Sequence, residues 1–359
     1  MKEFLSYYFP VYFATALLVV PYTFKVDILD KRDAGYDFLL AILVSFLLML
    51  VFGLRDYSVG TDTQHYVDAF RQIQFAEGFK EAWNTRTAFS SKDPFFNIFT
   101  YYVGNLVGMR GYFIVLSILY VVPITLSVFS LTRTNRSLML LCFMGLIAFP
   151  NLGVNIVRSA VSLSMGVLAL TFFFEKRKSL ALLMALLSLS FHFSSLLLYV
   201  AAGLSLLRIH ISIYLLGLLL CSALAFLGMG IEHLPIVGEL ILAQDRLSGY
   251  ITGERVSGGF SAFIILFYYS TIGLGVFFSN KIKDEVYLNY LKVYITLSAF
   301  YFLTFNLNDS YRFGFISSII TPIIVCYPIL NYKISKGAHF IVVGSFVLFL
   351  GLLAFYRTA

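Results

Sequence analysis

The sequence predicts an all-α, polytopic integral membrane helix bundle, and three observations carry that prediction. The 359 residues are 59% hydrophobic and 13% charged, with a mean hydropathy of +0.85, whereas a soluble domain is about half apolar and about a quarter charged. The apolar residues form continuous Leu/Ile/Val/Phe blocks, not the alternating strands of about ten residues that a membrane barrel needs. The basic residues gather in the connections between those blocks, as the positive-inside rule describes.

Along the chain, apolar stretches run over 4–24, 36–53, 112–131, 137–149, 154–174, 180–206, 211–230, 260–279, 287–305, 313–331 and 338–356. Most reach the ~17–25 residues of a spanning helix. The segment 94–109 is shorter and more polar. The expectation is about 11 spans, in a range of about 10–13, forming a single transmembrane domain over 1–359. Lys2 precedes an apolar run with no small-residue cleavage site, which predicts a retained first helix. Basic clusters at Lys25/Lys31/Arg32, Arg133/Arg136, Lys176/Arg177/Lys178, Lys281/Lys283 and Lys333/Lys336 are assigned to the cytoplasm. The long connections 54–93 and 231–259 and the turns near 150–153 and 306–311 then fall on the outer side. This requires 94–131 to cross an odd number of times and 179–210 an even number. The topology is open between a re-entrant segment and an Arg133/Arg136 pair that disobeys the rule.

The loop cations account for the net charge of +7, so the partner is the lipid bilayer and no nucleic acid is expected. Cys142, Cys221 and Cys326 lie inside apolar stretches, with neither a disulfide framework nor zinc spacing. Within the long loop, Gly60 supplies a turn and Thr61-x-x-Gln64 has the form of a capping box. Tyr66, Phe70 and Ile73 follow at helical spacing, predicting a short amphipathic helix on the membrane surface; Trp83 and neighbouring aromatics suit the interface.

Ionisable residues inside spans are costly, which marks them as functional candidates. Asn151, Asn155, Arg158 and Ser162 recur as one polar stripe of a helix, and Ser188, His192, Ser195 and Tyr199 as another. Arg55 ends the second span and Arg312 begins a late one beside Tyr311. In the orientation above, Arg55, Arg158, His192 and Arg312 all lie toward the outer face. Each also has a plain structural reading. Arg158 can pair with a carboxylate or carbonyl, His192 can pack as a neutral hydrogen-bonded ring, Arg55 and Arg312 can snorkel, and Asp309 can pair with Arg312. Asp62, in the first turn of the loop helix, can simply complement its dipole.

The run Gly53-Leu-Arg55-Asp-Tyr-Ser-Val-Gly60-Thr61-Asp62-Thr-Gln-His-Tyr66, followed by Phe70, resembles the outer-loop signature of the EpsG/Wzy-type bacterial polysaccharide polymerases. Asn155-Ile-Val-Arg158-Ser-Ala resembles that family's asparagine-x-x-arginine helix start, with Ser159 where glutamine is common. Ser190-Phe-His192-Phe-Ser-Ser resembles its Phe-His-x-Ser element, with Phe193 where lysine is common, and Tyr311-Arg312-Phe313 resembles its late outer arginine. The resemblance covers most of the chain. It implies a GT-C-like membrane glycosyltransferase that polymerises undecaprenyl-diphosphate-linked oligosaccharide repeat units into O-antigen, capsule or exopolysaccharide. The site would face the periplasm of the bacterial inner membrane, with a chain-length regulator as a further partner. A polysaccharide ligase with the same lipid donor, or a lipid-oligosaccharide flippase, stays as the alternative.

The residue types fit that chemistry. A sugar C1 carrying diphosphate has a good leaving group, so the protein has to hold the diphosphate and orient and deprotonate an acceptor hydroxyl. Guanidinium forks bind phosphate oxygens bidentately, making Arg158 and Arg312 the expected clamps and Arg55 a third. His192 is the first-choice base and Asp62 the second. Gly60, Thr61, Tyr66, Asn155, Tyr311, Arg246 and Tyr250 are the expected substrate contacts. With no Asp-x-Asp motif, no metal site and no cofactor is expected.

Overall fold

The computed structural model describes residues 2–25, 31–85, 94–133, 135–233, 262–307 and 310–331. Among these the protein is 85% helical with no strand. Six helices are long and apolar enough to cross a membrane, or up to 7 if one bent pair is a single span; three further apolar helices are shorter. The chain is thus a multi-pass membrane protein. The predicted span at 338–356 lies outside the described residues.

The chain divides into two units, Met1–Leu196 with Ile329–Ala359, and Leu197–Pro328. The first opens with α1 (Lys2–Lys25) and α2 (Lys31–Gly53). Two short helices follow, α3 (Thr63–Gln74) and α4 (Phe79–Asn84). Next comes α5 (Pro94–Leu131), kinked at Gly108, whose φ of 67° and ψ of −179° leave the helical region. The 94–107 arm is about 21 Å long at 1.5 Å per residue, short of the ~30 Å hydrocarbon core. Only the part after Gly108 is by itself long enough to cross.

A bent pair follows, α6 (Arg136–Gly145) and α7 (Ala148–Asn155), which meet at 72°. Tyrosines brace the bend from both sides: Tyr8 donates to Met144 O and Tyr120 to Phe149 O, each at 2.9 Å. Phe52 fills the angle, in ring contact with Phe4, Tyr120 and Phe149. The unit continues through α8 (Val157–Phe174) and α9 (Lys178–Phe191), with α8 almost wholly buried.

Asp37 is 1% exposed in the second turn of α2. Its carboxylate accepts from the Arg136 and Ser137 N–H groups at 2.8 and 3.1 Å and from Ser137 Oγ at 2.7 Å. A helix start has N–H groups without intrahelical partners and a partial positive charge. Asp37 therefore caps α6 from a neighbouring helix.

The second unit holds α10 (Leu196–Ser205, its first residue in the first unit), α11 (Ile211–Phe226), α12 (Ala262–Ile282), α13 (Glu285–Leu303), α14 (Tyr311–Ser318) and most of α15 (Thr321–Asn331). Tyrosines again bond main-chain carbonyls of other helices: Tyr268 donates to Gly314 O at 2.9 Å and Tyr287 to Ile324 O at 2.8 Å. Buried Lys292 donates to the carbonyls of Ser205 and Leu207 at the end of α10, a cation where the helix dipole is negative. It is a helix cap.

Candidate functional site

Two of the predicted polar stripes are not continuous helices. The first breaks at Ile156 (φ −119°, ψ 50°), between α7 and α8. An unbroken helix would pair Arg158 N–H with Val154 C=O. Here Val154 O instead accepts from Arg55 Nη2 at 3.5 Å and Thr63 Oγ1 at 3.3 Å, and Arg158 N–H donates to the Tyr66 hydroxyl at 3.4 Å. One step on, Asn155 Oδ1 accepts from Thr61 N–H at 2.9 Å while its Nδ2 donates to Asn151 Oδ1 at 2.7 Å. The loop carrying Arg55, Thr61, Thr63 and Tyr66 thus satisfies the groups that the break leaves open.

Gly60 permits that docking. Its φ is +96°, and a Cβ there would lie 2.6 Å from Val154 Cγ1 and 2.7 Å from Asn155 Oδ1. Only glycine combines such a φ with so close an approach. Asp56 braces the start of the loop, accepting from Ser58 N–H and Oγ at 2.9 and 2.8 Å, and those bonds hold its carboxyl below the usual range.

Arg55 is 5% exposed. Its Nη1 donates to Phe52 O and its Nη2 to Val154 O, so it caps the ends of α2 and α7 together. Its guanidinium sits 5.0 Å from the Phe113 ring centroid, and Nε is buried with no hydrogen-bond partner. Burial pushes the guanidinium down to about 10, an effect that nearby Tyr66, Tyr7 and Tyr112 oppose. It remains charged at neutral pH. Arg110, just past the Gly108 kink, donates to the carbonyls of Leu54 and Arg55 at 3.1 and 2.9 Å and lies 4.5 Å from the Tyr57 ring centroid. Two arginines therefore link α5, the loop and the α7/α8 break.

Arg158 projects from the first turn of α8, half-buried, with its guanidinium 5.7 Å from the Phe96 ring centroid. Phe96 also meets Tyr66 edge-on at 6.1 Å. Tyr112 is close enough to Arg55, Arg158 and Tyr66 to feel all three electrostatically. The region is cationic and lined with aromatic rings.

The second stripe breaks at His192, whose extended backbone ends α9 ahead of a 3-10 turn over Phe193–Ser195. Ser162, one turn beyond Arg158 on α8, donates to the carbonyls of Ser188 and His192 at 2.9 and 2.8 Å. Ser188 Oγ returns a bond to Ser162 O at 2.7 Å. Phe191 packs on Phe95 and Phe99 of α5. The serine pair therefore ties the His192 break to the helix that carries Arg158.

The capping box does not form. α3 starts at Thr63, its N-cap Asp62 makes no side-chain cap bond, Thr61 Oγ1 donates to Asp62, and Gln64 donates to Asp68. The competing partner wins because Thr61 N–H is already held by Asn155. Tyr66, Phe70 and Ile73 do share one face of α3, but that face is buried against protein: Tyr66 meets Phe96, and Phe70 meets Tyr112 at 5.2 Å. It is therefore not the face that meets the membrane surface.

The first unit thus unites Arg55, Gly60, Thr61, Tyr66, Asn155 and Arg158, with Asp62 beside them and His192 joined through Ser162. Arg312 and the exposed Tyr311 start α14 in the second unit, with the Arg312 guanidinium 5.9 Å from the Tyr311 ring centroid. Arg246, Tyr250, Asp309 and the rest of 234–259 lie outside the described residues. Sequence reasoning passed over Thr63 and Arg110. Thr63 stood inside the signature run, and Arg110 was a cation following an apolar segment, a signal that went unused. Among the described residues there is no group of three or more His, Cys, Asp or Glu placed to hold a metal.

Fold and site together define a multi-pass membrane protein whose signature loop is locked onto a broken helix bearing an arginine. The chain belongs to the EpsG family: the model of that family matches residues 38–359. That membership suggests a polysaccharide polymerase role. No curated protein and no solved structure matches the chain.

Proposed function

We propose that the protein is a membrane glycosyltransferase that polymerises polyprenyl-diphosphate-linked oligosaccharide repeat units at the periplasmic face of the bacterial inner membrane. The observation that carries this reading is the opened α7/α8 junction, where the signature loop holds Val154 O and Arg158 N–H apart and sets Arg158 at a helix start. A helix start carries positive potential, and although Arg158 N–H is itself held by Tyr66, the Arg158 guanidinium beside that start suits a diphosphate. In the reaction, an acceptor hydroxyl oxygen bonds to the donor sugar C1 as the bond from C1 to the diphosphate oxygen breaks. The diphosphate leaves with the bonding electrons. Arg158 and Arg312 are the clamps that stabilise the growing charge, and His192, with Asp62 as second choice, takes the hydroxyl proton. Gly60, Thr61, Asn155 and Tyr66 frame the site, and Arg246, Tyr250 and Tyr311 contact sugars. Arg55 serves by holding the break open as well as by its charge.

The same proposal includes a single GT-C-like transmembrane domain of about 11 spans, undecaprenyl diphosphate as carrier, and a separate chain-length regulator. The test is purified protein in lipid with a lipid-diphosphate repeat unit, with and without chelator, scored for a polymer ladder. A ladder is expected in both conditions. Arg158→Ala and Arg312→Ala should each slow it about 100-fold or more, as removal of a preplaced electrostatic donor does. Unchanged ladders from both variants would sink the clamp assignment, and an active His192→Ala would remove the base alone. Transfer of finished chains without extension would identify a ligase instead.

A further inference from the structure

A second feature of the first unit is independent of the reaction. The helices α3 and α4 and the 94–107 arm of α5 form a small cap. Its inner side is filled: Ile73, Ala76 and Ala82 are buried, with Ile98 and Tyr101 packed against them. Polar bonds close the same side. Gln74 donates to Thr100 O at 3.1 Å and Asn97 to Thr85 O at 3.2 Å. The outer side has no such cover. Phe75 is 84% exposed and Leu106 81%, and Phe79, Trp83, Tyr102 and Val107 are exposed as well. Phe79 and Trp83 stack on each other at 6.0 Å, with exposed Lys80 and Glu81 between them in sequence.

We infer that this cap is an interfacial anchor that rests its aromatic and aliphatic side chains in the headgroup region of the bilayer. Three observations select lipid as the occupant. Leu106 and Val107 immediately precede the Gly108 kink, from which the part of α5 long enough to span departs with Ile118 and Leu126 also exposed. The 94–107 arm is too short to span the ~30 Å core, so its apolar outer face belongs at the core's edge. Tryptophan, tyrosine and phenylalanine beside charged residues form the composition of a membrane interface, whereas a face buried in the hydrocarbon core would lack the charges. The sequence alone assigned surface contact to α3 and to Trp83 with its neighbouring aromatics; the structure turns the apolar face of α3 inward and leaves exposed Trp83 of α4, together with the α5 arm, to make the contact.

The chain has one tryptophan, Trp83, so its emission reports on this cap alone. The experiment places the full-length protein in phosphatidylcholine vesicles containing lipid brominated either high on the acyl chain or near its end. The expected result is a loss of Trp83 emission, larger with the shallow bromines, together with weaker acrylamide quenching in vesicles than in urea-unfolded protein. A second probe, Leu106→Trp in a Trp83→Phe background, is expected to lose emission to both lipids. The inference is overturned if Trp83 is untouched by brominated lipid and fully open to acrylamide, which puts the cap in water. It is equally overturned if Trp83 is shielded from both quenchers, which puts a second copy or another protein surface over it.

Discussion

The two ends of α2 solve the same problem with opposite charges. Asp37 near its start and Arg55 just past its end stand about 27 Å apart at 1.5 Å per residue, close to the thickness of a hydrocarbon core. Both side chains are buried and both satisfy backbone groups at the ends of neighbouring helices. They differ in completeness. Asp37 uses both oxygens on three donors within 3.1 Å. Arg55 reaches Val154 at 3.5 Å and keeps a buried Nε without a partner. A saturated buried charge stabilises a junction, whereas an unsaturated one has been kept in spite of its cost. One end of α2 is therefore structural, and the other carries the candidate site.

Substitutions can break this contrast, beginning with the largest expected loss of stability. Asp37→Ala leaves two N–H groups and a hydroxyl buried without an acceptor and should cost about 3 kcal/mol or more. The measurement is thermal unfolding in detergent, and a melting point equal to wild type would refute the cap. Gly60→Ala meets both a positive φ and a crowded approach, and should cost about 2 kcal/mol while releasing the loop from Asn155. Hydrogen exchange at Thr61 reads the release; unchanged protection there would mean that the loop docks by other contacts. Ser162→Ala removes the donor to Ser188 and His192, for about 1 kcal/mol, and should lower ladder formation more than it lowers stability.

Arg55→Met sits at the small end of the stability scale. An apolar replacement of a buried charge is often neutral, so the change should stay within about 1 kcal/mol while activity falls. Burial holds folded Arg55 down at about 10, well below a free guanidinium. The unfolded chain thus keeps its proton above about 10 where the folded chain has lost it, and burial of the charge costs stability below about 10 that is relieved as pH rises. The stability of wild type relative to Arg55→Met should then climb as pH rises through and above about 10. A flat difference would contradict the account of Arg55 as an undercompensated buried cation.

Much of the site was legible as residues and little of it as geometry. The signature run, Asn155, Arg158 and His192 stood out because charges and amides are rare in apolar stretches. The helical periodicity through 151–162 and 188–199 was also present, yet both helices break. Neither Ile156 nor His192 is a helix breaker by type, so no local signal marked them. The breaks persist because distant groups, Arg55, Thr63 and Tyr66 for one and Ser162 for the other, take over the freed backbone bonds.

By itself, the sequence determined that the chain lives in a membrane, which loop carries the signature, and which family it belongs to. Hydropathy and residue order are properties of the chain, independent of its path. Only the tertiary structure decided where helices open, which arginine acts as a strut, which face of α3 is covered and how α6 is capped. In a bilayer each backbone group must find a partner within the protein, and when the partner lies about a hundred residues away, only the folded chain reveals it.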